Sequence, residues 1–331
     1  MKQQSSPSTL VATVRNARRE DFDRVAERIA ADIIRSPLLP YESPSKNIRL
    51  KAECLQPLGS FKIRAAANVL QNLDPAALAH GAATASAGNF AQGLALAAQR
   101  RGISLTVHAP DTAAQVKLEA VAGLGAKVVL HSFADWWSIM TTRQTGADDG
   151  VFIHPVCEPD VILGNGTIGL ELAQDWPELD TVAVPFGGGG LSCGIALALR
   201  ALSCKVRIVA CEVETSTPLA AALAAGKPVR VERQASFVDG IGSNSVLDDM
   251  WPLIKELIDD VIVVSLAETQ RAVRELALRH HLIAEGAGAA ALAAALSSQC
   301  GGTHIAAIIS GGNIDSAKLC SMLNEAAFRN S

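Results

Sequence analysis

The chain has 331 residues, 49% apolar and only 19% charged, which suits two domains or one large α/β unit with ample material for a core. A formal net charge of −4, with no Lys/Arg cluster interleaved with aromatics, speaks against a nucleic-acid binder. Seven scattered cysteines with no C-x-x-C pair read as reduced thiols. The polar N-terminus lacks the apolar core of a signal peptide, and the most apolar run, "GAGAAALAAAL" (286–296), is too short to cross a bilayer, so a cytoplasmic protein with no membrane partner is expected.

The first informative stretch is "PLGSFKIRAAANVL" (57–70), which places Lys62 behind Phe61 at the head of an apolar helical run. A lysine drawn into apolar surroundings loses hydration and must gain something in return. It does so by snorkelling to water, or by bonding covalently to an aldehyde. "GAATAS" then predicts a strand before the helical "FAQGLALAAQRRG", and "ISLTVHAP" a strand before "AAQVKLEAVAGLG", with "AKVVLHS" following. The polar "TTRQTGADDG" (141–150) is the expected crossing between lobes. Beyond it, "TVAVPF" leads to "LSCGIALALRAL", and "KVRIVACEV" to "TPLAAALAAG". The 3.6-residue spacing of "ETQRAVRELALRHHL" (268–282) predicts an amphipathic helix, and "AEGAGAAALAAALSS" precedes "HIAAIISGGN". Strand and helix alternating in this way indicate parallel sheets covered by helices on both faces.

Three turns carry chemistry. In "VPFGGGGLSCG" four glycines separate a strand from a helix, so their N–H groups and the helix N-terminus can converge on a phosphate. Gly188, Gly190 and Gly194, with Glu212 closing the next strand, also permit an NAD(P) reading, although the strict G-x-G-x-x-G spacing fails. "TASAGNFAQG" (84–93) opens a helix with N–H groups suited to a carboxylate, and "IISGGNID" (308–315) leaves Ser310 at a strand end.

In the order "SFKIR", "SAGNFAQG", "GGGGL", "EGAGA" and "SGGN", over roughly residues 30–320, the chain resembles the threonine dehydratase and serine racemase family of pyridoxal-phosphate enzymes of fold type II. The resemblance implies an α/β fold of two three-layer αβα lobes with mostly parallel sheets, like the tryptophan synthase β chain. Residues 1–74 and 155–331 would form a large cofactor-binding domain, and 75–154 a small mobile one. It implies pyridoxal 5'-phosphate as cofactor, a small amino acid as substrate and a homodimer. Lys62 would carry the cofactor aldehyde and shuttle the Cα proton, with Phe61 beside the ring. Asn89 would bond the phenolate oxygen and Ser310 the pyridine nitrogen, with Glu285 near the ring edge. Gly187, Gly188, Gly189 and Gly190, with the Leu191 N–H, would hold the phosphate. Ser86, Ala87, Gly88 and Asn89 would bind the substrate carboxylate beside Phe90. The implied activity is an ammonia-lyase that eliminates water from an L-β-hydroxy amino acid to give a 2-oxo acid and ammonia. A racemase or β-replacement enzyme of the same fold stays open, as does, from another class, an NAD(P)-dependent oxidoreductase.

Departures from the family refine this expectation. Ala87 stands where the racemases carry a serine, which favours elimination. Phe90 replaces the dehydratases' usual histidine and suits a substrate bulkier than threonine or serine, such as 3-phenylserine. Glu212 lacks its usual Asp companion, the position being Pro218, so no metal is expected. Asn165 and Ala65 are milder replacements. The end soon after "SGGN" predicts no C-terminal regulatory domain and no feedback by isoleucine. Trp136 and Trp137 read as packing or interface residues, His154 as structural, Asp239 as a loop-orienting group, and His280 and His281 as no metal pair.

Overall fold

A computed structural model of the chain describes residues 7–324. Within these residues, ten strands form two sheets. The strands are β1 (Leu38–Tyr41), β2 (Asn47–Lys51), β3 (Ala82–Ala85), β4 (Leu105–Pro110), β5 (Lys127–His131), β6 (Val151–Phe152), β7 (Thr181–Pro185), β8 (Arg207–Val213), β9 (Asp260–Val264) and β10 (His304–Ile308). The larger sheet runs β1-β2-β10-β7-β8-β9, with only the β1–β2 pair antiparallel; the smaller runs β5-β4-β3-β6 and is wholly parallel.

The two-residue repeat of a strand explains the layering. Val182 and Val184 of β7 enter one core with Ile208, Ala306 and Ile308, beneath the helices Pro159–Asp175 and Gly190–Ala201. Ala183 faces the other way with Val209 and Ala307, under the helices Leu266–Arg279 and Gly286–Leu296. The smaller sheet packs Ala82, Leu105 and Val107 against the helices Lys62–Asn72 and Asn89–Gln99, and Ala85 against the helix Phe133–Thr142. The α/β fold with two three-layer lobes is therefore present. Local chemistry supports it: Ser265 and Glu268 close a reciprocal capping box at the start of Leu266–Arg279, and its apolar stripe Ala272, Val273 and Leu276 faces the core.

One expectation is corrected. The segment 141–150 is not the crossing between sheets, because β6 directly after it pairs with β3 of the smaller sheet. Asp149 is tied back to that sheet through Oδ2 to His108 Nε2 at 2.9 Å. The chain leaves the smaller sheet only after Phe152.

A buried ionic quartet anchors the helix that starts at Lys62. Arg64, Glu53 and Lys51 are wholly buried and Glu171 nearly so. The Arg64 guanidinium donates to Glu53 at 2.8 and 2.9 Å, to Glu171 at 2.7 and 3.0 Å, and to Thr167 Oγ1 at 3.1 Å. Lys51 Nζ donates to Glu171 at 2.5 Å and to the Ser36 carbonyl at 2.7 Å. Two cations and two carboxylates leave no net charge to bury, so the arrangement is tolerable only while it is complete. The adjacent helix can come this close because Gly164 has no side chain: a Cβ there would lie 2.8 Å from Ala65 Cα. Arg64→Met strands two buried carboxylates beside one lysine and is expected to lower the unfolding free energy by about 3–5 kcal/mol, measured by urea denaturation.

Candidate active site

Strands from both sheets end at one cavity of about 840 Å³. Such crevices beyond the carboxyl ends of parallel strands are the usual binding position in α/β proteins. Ser86 to Asn89 follow β3, Gly187 to Gly190 follow β7, and Ser310 follows β10. The Phe61 N–H donates to the Ser310 carbonyl at 3.1 Å, which draws the head of the Lys62 helix to the end of β10. All fourteen site residues expected from the sequence line this cavity: Phe61, Lys62, Ser86, Ala87, Gly88, Asn89, Phe90, Gly187 to Gly190, Leu191, Glu285 and Ser310.

Lys62 is half-buried; its backbone N–H donates to Ser60 Oγ at 3.4 Å, and its side-chain amine makes no hydrogen bond or ion pair among the described residues. Its Nζ lies 5.0 Å from the Phe61 ring centroid and 5.8 Å from that of Phe90. The ring faces favour the ammonium, but burial outweighs them. Desolvation brings the pKa down to about 8, with the Glu285 charge opposing the shift. The amine thus gives up its proton more readily than an ordinary lysine does.

Two backbone cradles flank it. Gly189 caps the helix Gly190–Ala201 at φ +87°, a conformation that only glycine adopts without strain. A Cβ at Gly188 would come within 2.8 Å of the Val156 side chain. Among the described residues, the N–H groups of Gly187, Gly188, Gly189, Gly190 and Leu191 find no acceptor, although the turn is mostly buried. Asn165 Nδ2 steadies the turn through the Gly190 carbonyl at 3.2 Å. At the second cradle, Ser86 N–H is held by the His108 carbonyl at 3.1 Å and Gly88 N–H by Ser86 Oγ at 3.4 Å, while those of Ala87, Asn89 and Phe90 have no acceptor among the described residues. Orphan donors at two helix starts, facing one cavity, suit two separate anions.

Between the cradles, Asn89 Nδ2 donates to Glu285 Oε1 at 2.8 Å. Burial pushes the Glu285 carboxyl up to about 7; Asp239 adds to the shift, and Lys117, the Asn89 bond and Lys62 oppose it.

Some residues stand differently from their sequence reading, and some were not singled out there. Trp136 and Trp137, read as packing or interface residues, line the cavity with Phe133 and Met140 on the Phe133–Thr142 helix. Trp136 also packs against Ala85, Ile139 and Met140 as read, so the cavity position is an addition that adjacent tryptophans on a short helix do not signal. Val156 under the glycine turn and Asn313 beside Asn89 were not singled out; Asn313 stood within the "SGGN" motif, the only signal available. Asp239 pairs with Lys117 at 2.6 Å across the cavity mouth. His154 Nδ1 accepts from the N–H groups of Val156 and Cys157 at 3.1 and 2.9 Å. Glu212 caps the helix Pro218–Ala225, accepting from Leu219 N–H at 2.7 Å and Ala220 N–H at 2.9 Å.

Residues 29–311 match the family described as pyridoxal-phosphate dependent enzyme. The chain belongs to that family. An L-threonine ammonia-lyase of Thermotoga maritima is 36% identical over 310 residues, spanning 91% of this chain and 77% of the relative. A catabolic L-threonine dehydratase of Staphylococcus aureus is 34% identical over 314 residues, spanning 92% and 91%. The structure of maize serine racemase superposes with a TM-score of 0.84 at 33% identity, covering 93% of this chain and 97% of that one. The family's cofactor is pyridoxal phosphate, its fold here is fold type II, and the chain is a lyase of this family. The site fits the group: an unpaired, desolvated amine stands beside a buried turn whose N–H groups have no acceptor.

Glu285 makes stability depend on pH. Its pKa is about 7 in the folded protein against an ordinary 4.5, so between those values the native state holds more proton than the unfolded chain. Its contribution to stability therefore falls as pH rises through that window. Glu285→Gln carries no ionisation. In denaturant melts of the apoprotein its stability relative to wild type is expected to improve steadily from pH 4.5 to about 7.

Proposed function

We propose that the protein is an ammonia-lyase of L-β-hydroxy amino acids, acting on threonine and reaching to substrates with larger apolar or aromatic β-substituents. The observation that carries this reading is one unpaired amine, Lys62, between two N–H cradles in a single cavity. Relatives named as threonine ammonia-lyase and threonine dehydratase support the substrate class.

The Gly187–Gly190 turn and the Leu191 N–H would hold the cofactor phosphate, Phe61 its ring, Asn89 its ring oxygen and Ser310 its ring nitrogen, with Glu285 at the ring edge. When bound, pyridoxal phosphate supplies an aldehyde for Lys62 and an electron sink for charge at the substrate's Cα. The Ser310 hydroxyl is neutral and offers a single hydrogen bond, so it cannot balance a full positive charge as a carboxylate would. Lys62, with its pKa at about 8, is placed to take and return the Cα proton as a free base. The N–H groups of Ala87 and Asn89 hold the substrate carboxylate. Ala87 has no proton to give, so we assign no acid to the face opposite Lys62, and elimination is favoured over racemisation. Phe90, Trp136 and Met140 give the cavity an apolar wall for the β-substituent.

The same reading includes a large domain of residues 1–74 and 155–331, a small mobile domain of 75–154, a homodimer and a cytoplasmic location. It includes no divalent cation at Glu212, whose oxygens are taken up by the helix cap. That cap also weakens the NAD(P) reading, since Glu212 is not free to hold a ribose.

Borohydride treatment of the holoenzyme is expected to abolish its visible absorbance and fix the cofactor's mass on Lys62. Lys62→Ala should stay folded and lose turnover by about a thousandfold or more. EDTA should leave turnover unchanged. On a panel of β-hydroxy amino acids scored for 2-oxo acid release, Phe90→His should lower kcat/KM for 3-phenylserine relative to threonine by about tenfold. Wild-type turnover of threonine far above that of 3-phenylserine would remove the bulky-substrate part of the proposal.

A further inference from the structure

Asn89 can face the cavity with its amide nitrogen or its oxygen, and only one orientation presents a donor there. The hydrogen bonds behind it decide the matter. Asn313 Nδ2 donates to the Leu58 carbonyl at 2.8 Å and to Asn89 Oδ1 at 2.9 Å. Asn89 Nδ2 then donates to Glu285 Oε1 at 2.8 Å. A backbone carbonyl can only accept, so the Asn313 atom beside Leu58 must be its NH2 group. That group in turn requires the oxygen of Asn89, whose own NH2 is directed to Glu285 and the cavity. One of its two N–H bonds goes to Glu285, and the other is left for a ligand.

The reference carbonyl is itself held in an uncommon conformation. Leu58 sits at φ +59°, ψ 22°, the left-handed region that a branched side chain seldom adopts, and Gly59 follows at φ +67°. This turn is stitched to the segment after β10 by Gly312 N–H to the Gly59 carbonyl at 2.9 Å and by the Ser60–Gly311 bridge. A Cβ at Gly59 would stand 2.9 Å from Asn313 Oδ1, so the backbone approaches as closely as it can.

We propose that Asn313 is a positioning residue: through the strained Leu58 carbonyl it fixes the amide polarity of Asn89, so that a donor rather than an acceptor meets the cofactor's ring oxygen. This rests on the cofactor placement proposed above. It adds to that placement a residue that touches neither cofactor nor substrate.

The test compares wild type, Asn313→Ala, Asn89→Ala and the double variant. The readouts are the dissociation constant for pyridoxal phosphate titrated into apoprotein, the pH midpoint of the bound cofactor's visible band, and the melting temperature. Asn313→Ala is expected to weaken cofactor binding about tenfold, as for loss of a hydrogen bond to a charged group, and to raise the pH midpoint. The double variant should bind as Asn89→Ala does, because Asn313 acts only through Asn89. Wild-type affinity and midpoint in Asn313→Ala, a lowered melting temperature alone, or losses that add in the double variant would each overturn the proposal. Should Asn313→Ala not fold, Asn313→Ser keeps one donor and should bind with intermediate affinity; failure of both to fold assigns Asn313 to the fold and overturns the role. If wild type itself binds no pyridoxal phosphate, it is the functional proposal that fails.

Discussion

An amine kept from water with no counterion beside it is costly, and the site is organised around that cost. The Phe61 and Phe90 rings near Lys62 Nζ give only a weak electrostatic return to the ammonium. The nearest compensating acid, Glu285, is itself so buried that its pKa stands at about 7. Each group favours the other's charged form, but burial outweighs that attraction, so the lysine leans toward the neutral amine and the glutamate toward the neutral acid. A well-formed ion pair here would bring the lysine's pKa back up and silence it as a base. Stability is given up at this point for reactivity.

The compensation lies on the same helix. Arg64, two residues beyond Lys62, sits in a quartet whose charges cancel and whose guanidinium is bonded on several sides. One helix start thus carries an unpaired lysine toward the cavity and a fully satisfied arginine into the core. The difference arises from partners rather than depth, since Arg64 is the more deeply buried of the two. Sheet topology supplies the other half of the design. Parallel strands deliver their following helix N-termini to the same end, so two sets of unbonded N–H groups meet around the amine.

What the sequence revealed follows from how local each signal is. The glycine turn was legible because four glycines between a strand and a helix have few other uses. Lys62 drew attention as a charged residue in an apolar run, but the run alone left snorkelling open, and only the resemblance pointed to an aldehyde carrier. The parallel sheets were legible in the alternation of elements. The segment 141–150 misled because polarity marks a loop but does not say which sheet the next strand joins, and β6 is only two residues long. Trp136 and Trp137 were legible as packing residues but not as part of the cavity wall, which depends on which side of a short helix meets the cavity. The Asn313–Asn89–Glu285 relay joins Asn89 to residues 196 and 224 positions further along through side-chain geometry, and no spacing rule can express that.

Two acidic residues show why geometry has to decide between functions that sequence leaves open. Glu212 and Glu285 are both raised to about 7 by burial, and each stands near a loop that could hold a ligand. Glu212 has both oxygens engaged by backbone N–H groups of its own helix cap, so its charge is used to start a helix. The bond recorded to Glu285 comes from a side chain that also borders the cavity, and the acid stands where a ligand would meet it. Two buried acids displaced in the same direction from the ordinary value therefore lead to opposite assignments. A buried acid whose bonds are closed within the fold stabilises structure; one bonded to a group facing open space is available to chemistry. By the same criterion Lys62 belongs to the second class and Lys51 to the first, although both are lysines withdrawn from solvent.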